Sequence, residues 1–125
     1  AATDAAHALE KLIRLDPDGM PGQIIGAVGQ RLLRTLCTLC AGSGKGEGDA
    51  HCDHCRGSGC RGRTGIFEVI QVHSTEMQKL LRASPSRAAI RSLAADEGMV
   101  TLAQAAGEKI RTGLTSETEA RRVLG

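Results

Sequence analysis

Four of the five cysteines in this 125-residue chain form two C-x-x-C pairs, Cys37-x-x-Cys40 and Cys52-x-x-Cys55, with eleven residues between them. A C-x-x-C turn aims two sulfurs at one point, and two such turns complete a tetrahedral thiolate site for Zn²⁺. Thiolates are soft ligands and select zinc over magnesium or calcium. A disulfide or redox pair is the competing reading. It asks for an oxidising compartment and an even number of cysteines, whereas this chain has five and its first residues do not read as a secretory leader. The spacing therefore predicts one structural Zn²⁺ held by Cys37, Cys40, Cys52 and Cys55. No catalytic residue and no nucleotide-binding residue is predicted.

The glycine-rich run between the pairs, AGSGKGEGD, invites a second reading as a phosphate-binding loop. That loop needs Gly, four residues, then Gly-Lys-Ser/Thr, so that amides cradle phosphate and a hydroxyl holds Mg²⁺. Here Gly44-Lys45 is followed by Gly46, and Leu39 stands where the first glycine belongs. The run is instead read as a flexible strap between two metal knuckles. His51 and His54 flank Cys52, and either could stand in for a thiolate. His54 is expected to face solvent. Cys60 is expected to be a free, small apolar residue near the site. A four-thiolate zinc carries a formal charge of −2, which Lys45, Arg56, Arg61 and Arg63 could offset from nearby.

Around the knuckles the pattern is that of a folded α+β chain, mostly helical. Hydrophobic content is 41% and charged content 24%, which fits a packed core rather than a disordered tail. TGIFEVIQV, residues 64–72, reads as a strand. Apolar residues on both of its faces (Ile66, Ile70 and Val72; Phe67 and Val69) predict burial on both sides. Residues 31–36 are its partner, after a helical piece at 24–27, so the knuckles cap a hairpin whose register the metal holds. Such an edge, taken alone, invites dimerisation.

Helices are expected over 4–15, capped by Thr3, with Leu9, Leu12 and Ile13 inward. Further helices are expected after Ser74, with Met77, Leu80 and Leu81 inward, and after Ser84-Pro85, with Ile90, Leu93 and Ala94 inward. The last two follow a Thr101/Gln104 capping box and Thr115 or Ser116, the final one turning Val123 and Leu124 inward. The expected segments are 1–36, 37–60 (the tetracysteine subdomain), 61–73 (the return strand) and 74–125 (a helical subdomain).

The same numbers exclude several functions. A net charge of +2 and the absence of Trp and Tyr give neither an electrostatic footprint nor a stacking platform for nucleic acid. A helix-turn-helix reading fails for the same reason, since no helix carries a concentrated basic face. No apolar run reaches the roughly 18 residues of a membrane span.

Linked motifs carry a resemblance. GQRLLRTLCxxC (residues 29–40), CxxCxGxGxRGRTGIFE (52–68), DEGMVTL (96–102), GLTS (113–116) and TDA (3–5) together resemble the C-terminal part of the ATPases of type II secretion and type IV pilus assembly. The resemblance covers essentially the whole chain and implies a fragment of a RecA-like motor. It implies that the parent binds ATP and Mg²⁺, works as a homo-hexamer with neighbouring subunits, and acts in the cytoplasm at the inner membrane through membrane-embedded partners. It carries Cys37, Cys40, Cys52 and Cys55 over as zinc ligands, and Arg31 and residues 61–65 match its motif positions. The family's P-loop, aspartate box, Walker-B carboxylate and histidine box are absent from these residues, so they are expected not to hydrolyse ATP. Where the family has an aromatic residue, this chain has Cys60.

Two alternatives come from other classes. Both C-x-x-C-x-G-x-G runs also match the repeat of J-type chaperones, which bind unfolded protein. Those chaperones carry four such repeats and lack the GRTGIFE strand. A thiol oxidoreductase would want its C-x-x-C at a helix N-terminus.

Overall fold

A computed structural model describes residues 2–125, so residue 1 of the first expected segment lies outside the described residues. The elements run α1 (Ala5–Leu15), β1 (Gly26–Leu36), β2 (Cys60–Gln71), α2 (Thr75–Arg82), α3 (Arg87–Asp96), α4 (Leu102–Arg111) and α5 (Glu117–Leu124), with a 3₁₀ turn at Met20–Gly22. The two strands form one two-stranded sheet. Its ends are marked by Val72 N–H donating to the Ile25 carbonyl at 3.0 Å and Cys37 N–H donating to the Gly59 carbonyl at 2.8 Å. The architecture is thus α+β, a hairpin with short helices, and the cysteine pairs sit at the hairpin's tip.

The chain divides into two compact units, one formed by residues 1–30 and 67–102, the other by residues 31–66 and 103–125. Each unit draws on several of the four segments expected from sequence.

In the first unit, α1 starts because Asp4, in extended backbone, accepts the His7 N–H at 2.8 Å. Asp4, rather than the expected Thr3, is the cap; a carboxylate also suits the helix's positive end. Leu9 and Ile13 are buried, but Leu12 is 39% exposed and lies off the core face. α2 and α3 are capped by Ser74 and Ser86, whose hydroxyls accept the N–H groups of Met77 and Ala89. Pro85 therefore precedes the cap of α3 instead of opening the helix. Leu9, Ile13, Met77, Leu81, Ile90 and Ala94 join Ile70 and Val72 in one core. Each large apolar side chain buried there contributes about 1.5–3 kcal/mol.

Two expectations about the strands are corrected. Residues 24–27 are not helical: the β-branched pair Ile24-Ile25 leads directly into β1, and Ile25 already pairs with Val72. β2 is not buried on both sides. Ile66, Ile70 and Glu68 are buried, while Phe67 and Val69 are about half exposed, because helices cover one face only. On the covered face Gly29 lets β1 approach α1: a Cβ there would lie 3.2 Å from the Ala5 nitrogen.

The buried Glu68 is the polar centre of this unit. Its Oε1 accepts Ala5 N–H at 3.3 Å at the start of α1, and its Oε2 accepts Leu102 N–H at 3.2 Å at the start of α4. Arg91 reaches both Glu68 and Asp4, and Arg87 also reaches Asp4. Burial raises the Asp4 pKa, but hydrogen bonds from Arg87 and the His7 amide outweigh it and hold the carboxyl below its ordinary value.

In the second unit, Ser116 caps α5 by accepting Glu119 N–H at 3.1 Å. The residues α5 buries are Glu119 and Ala120, not the expected Val123 and Leu124, which are half-buried.

Candidate metal centre

The sulfurs of Cys37, Cys40, Cys52 and Cys55 all lie within 4.8 Å of one another. Cys37 and Cys52 are 3.9 Å apart, and Cys40 and Cys55 are 3.7 Å apart. A tetrahedron with Zn–S bonds of about 2.3 Å has edges of about 3.8 Å. All five cysteines are free, so no disulfide competes for these sulfurs. The donor set and its spacing therefore fit Zn²⁺, which would be held by the four cysteines and would staple the hairpin tip.

Local sequence builds the two halves in the same way. In C37-x-x-C40-A-G-S-G44 the backbone turns left-handed at Ala41, Gly42 and Gly44, with φ of 53°, 87° and 73°. In C52-x-x-C55-R-G-S-G59 the equivalent Arg56, Gly57 and Gly59 have φ of 56°, 85° and 78°. Each half curls so that its last glycine N–H points back at its own second cysteine: Gly44 to Cys40 Sγ and Gly59 to Cys55 Sγ, both at 3.2 Å. The halves also pack glycine to glycine, since a side chain on Gly44 would collide with the Gly57 carbonyl and one on Gly59 with the Gly42 carbonyl. The expectation of a flexible strap is thereby corrected. Gly42 and Gly44 belong to the knuckle, and only the section after them is a plain connection, closed by the Lys45–His51 bridge.

The Gly44 amide changes the chemistry of the sulfur it meets. Burial pushes the Cys40 thiol up, but the Gly44 amide and hydrogen bonds with Cys37 and Cys55 outweigh it and bring the pKa down to about 6. A thiol so lowered is largely the thiolate that a metal requires at neutral pH.

The other residues singled out by sequence stand apart from the sulfurs. His51 and His54 are exposed, and neither joins the metal-type group formed among the described residues. His51 instead packs its ring over Gly57, where a Cβ would lie 2.7 Å from Nδ1. Arg61 donates from Nη1 to the His54 carbonyl at 2.7 Å, so it braces the knuckle backbone and not the sulfurs. Cys60 opens β2 and is partly exposed. The amide donors Gly44 and Gly59 were missed as site residues. The signal that could have found them is the repeated C-x-x-C-x-G-x-G, in which both glycines keep the same offset from their cysteine.

The tip is anchored from the C-terminal side of the same unit. Glu119 is buried and accepts from the Arg34 amide at 2.9 Å, from Arg34 Nε and Nη2 at 3.1 and 2.9 Å, and from Arg122 Nε and Nη2 at 2.8 and 2.6 Å. Hydrogen bonds from Arg122 and then Arg34 hold its carboxyl far below the usual carboxylate range.

The sequence matches the family described as "Type II/IV secretion system protein" over residues 1–122. It is 28% identical to the type IV pilus assembly ATPase TfpB of Acinetobacter baylyi, across 97% of this chain and 24% of that protein. It is 30% identical to the type II secretion system protein HxcR of Pseudomonas aeruginosa, across 96% of this chain and 26% of that protein. It is 28% identical to the type IV pilus assembly ATPase PilB of Thermus thermophilus, across 93% of this chain and 15% of that protein. The chain thus spans about a quarter or less of the length of these relatives. With that family model matched along nearly its whole length, this chain belongs to the type II/IV secretion system protein family.

Proposed function

We propose that these residues are the zinc-binding and helical region of a bacterial secretion or pilus-assembly ATPase, and that they act as a structural and partner-docking module. The observation that carries the reading is the four-sulfur cluster at the tip of a hairpin, in a chain whose relatives are named for pilus-assembly ATPases and type II secretion. Zn²⁺ there replaces a hydrophobic core that so small a knuckle cannot build, and it holds the tip as a rigid surface. The parent would bind ATP and Mg²⁺, assemble with neighbouring subunits as a homo-hexamer, and dock on inner-membrane components from the cytoplasm. No helix among the described residues is long and apolar enough to cross a membrane, in keeping with attachment through partners.

The test is elemental analysis together with an ATPase assay on the 125-residue chain. The expected result is one Zn²⁺ per chain and phosphate release at background, because the sequence offers no phosphate cradle or Mg²⁺ carboxylate. A folded protein without metal would overturn the zinc assignment. Turnover abolished by Lys45→Ala would overturn the reading of the glycine run.

A further inference from the structure

The last residues of β1 lead straight into the first ligand, and the C-terminal segment holds them. Leu36 N–H donates to the Leu114 carbonyl at 2.9 Å, and the Thr115 hydroxyl donates to the Arg34 carbonyl at 2.7 Å. Arg34 N–H donates to Glu119 Oε1 at 2.9 Å, while the Arg34 and Arg122 guanidinium groups close on the same carboxylate. Immediately afterwards, Cys37 N–H donates to the Gly59 carbonyl at 2.8 Å. Residues 34–36 therefore run into the knuckle at Cys37 and are held along one edge by Leu114, Thr115 and Glu119 of the C-terminal segment.

α5 makes these polar contacts beside the burial of Ala120 and the half-burial of Val123 and Leu124. It is eight residues long, which is marginal for an isolated helix, and the residues it buries are Glu119 and Ala120. Its attachment depends on polar groups of residues 34–36 keeping one geometry. Residues 34–36 end a strand paired with β2 and run directly into the first cysteine, and among the described residues the knuckle has no core beyond its cysteines.

We propose that α5 is a metal-linked latch: filling of the four-cysteine site and docking of the C-terminal helix on Arg34–Leu36 stabilise one another. The proposal rests on the zinc reading above. Coupling of this kind is reciprocal, so loosening the latch must weaken metal binding by the same factor that metal removal loosens the latch.

Two measurements on the full 125-residue chain test it. In the first, hydrogen exchange is compared before and after chelation. Amides of residues 117–124 are expected to exchange about 5- to 150-fold faster without metal, the usual span of a coupling between sites, while those of α1 change little. In the second, a competing chelator titrates metal out of the loaded protein. Glu119→Gln and, separately, Thr115→Val are expected to release zinc at a chelator concentration lower by a similar factor. Glu108→Gln, which breaks only the exposed pair with Arg111 on α4, is expected to leave release unchanged.

Unaltered exchange in α5 after complete metal loss would overturn the latch, as would wild-type zinc retention in both variants. Should chelation unfold the whole chain, α1 would exchange fast as well, and the competition experiment on loaded protein decides. Should Glu119→Gln fail to fold, Thr115→Val carries the test. A protein that binds no zinc fails at elemental analysis, before any variant is compared, and so marks failure of the metal reading itself.

Discussion

Gly44 backs directly onto the carbonyl of Gly57, with no room between the two knuckles for a side chain. The same approach recurs between Gly59 and Gly42, so the tip is a repeat folded onto itself around the four sulfurs. The backbone contributes the close fit and the amide bonds to sulfur, and the cysteines contribute four sulfurs that could hold a metal ion.

Gly44→Ala should therefore cost more than a strained backbone alone. A left-handed alanine costs about 1–2 kcal/mol. At Gly48, where φ is 62° and nothing lies within 4 Å of an added Cβ, that is the whole effect expected. At Gly44 the collision with Gly57 adds to it and turns the amide away from Cys40 Sγ. Thermal melts and chelator competition on the two variants should show Gly44→Ala as the less stable and the weaker in metal binding. Equal behaviour would remove the packing argument.

Loss of one ligand should behave like chelation. Cys52→Ala leaves three sulfurs in a site with no other donor in the tetrad, and is expected to abolish stoichiometric zinc and lower the melting temperature as a chelator does in the wild type. His51→Ala is expected to retain one zinc, because His51 is exposed and outside the cluster. Metal content by mass spectrometry under native conditions reads both outcomes.

Acid should loosen the second unit through Glu119. Its folded-state pKa lies below its unfolded value of about 4.3, because Arg122 and Arg34 favour the charged form. The stability it contributes is fully present above the unfolded pKa and is lost as pH falls through the folded one. The difference in stability between wild type and Glu119→Gln should accordingly be constant near neutral pH and shrink below about pH 4.3. A difference that grew with acid would reverse the sign and sink the assignment. At pH 7 the expected size is about 1.5–3 kcal/mol, the range for a hydrogen bond to a charged group.

Glu68 should be the most sensitive acid of the first unit. Glu68→Ala strands two helix-starting amides, Ala5 and Leu102, and leaves Arg91 with Asp4 alone. A stranded buried donor costs about 1–3 kcal/mol, so urea denaturation should report a loss of several kcal/mol. Asp4→Asn should cost less. Asparagine still caps α1, and the pairs it forfeits involve the partly exposed Arg87 and Arg91, worth about 0–1 kcal/mol each.

What the sequence determined on its own is whatever a few neighbouring residues settle. The two C-x-x-C pairs name the four cysteines whose sulfurs the structure brings together, because a turn of that length aims its two sulfurs at one point. Ser74 announces the start of α2, and the Thr115-Ser116 pair that of α5, for the same local reason; the structure takes Ser116 as the cap. The linked motifs reached the family directly. Tertiary structure alone decided the rest. Glu68 and Glu119 look like ordinary surface acids in the sequence, and each has a partner far along the chain, Ala5 at 63 residues and Arg34 at 85. The Ile24-Ile25 segment, read from the sequence as helical, is extended because Val72 pairs with Ile25. Phe67 and Val69 remain half exposed because no element of these residues covers their side of the sheet. Ligand spacing and helix caps are properties of short segments. Burial, pairing and the charge of a carboxylate depend on which distant residues the fold brings alongside.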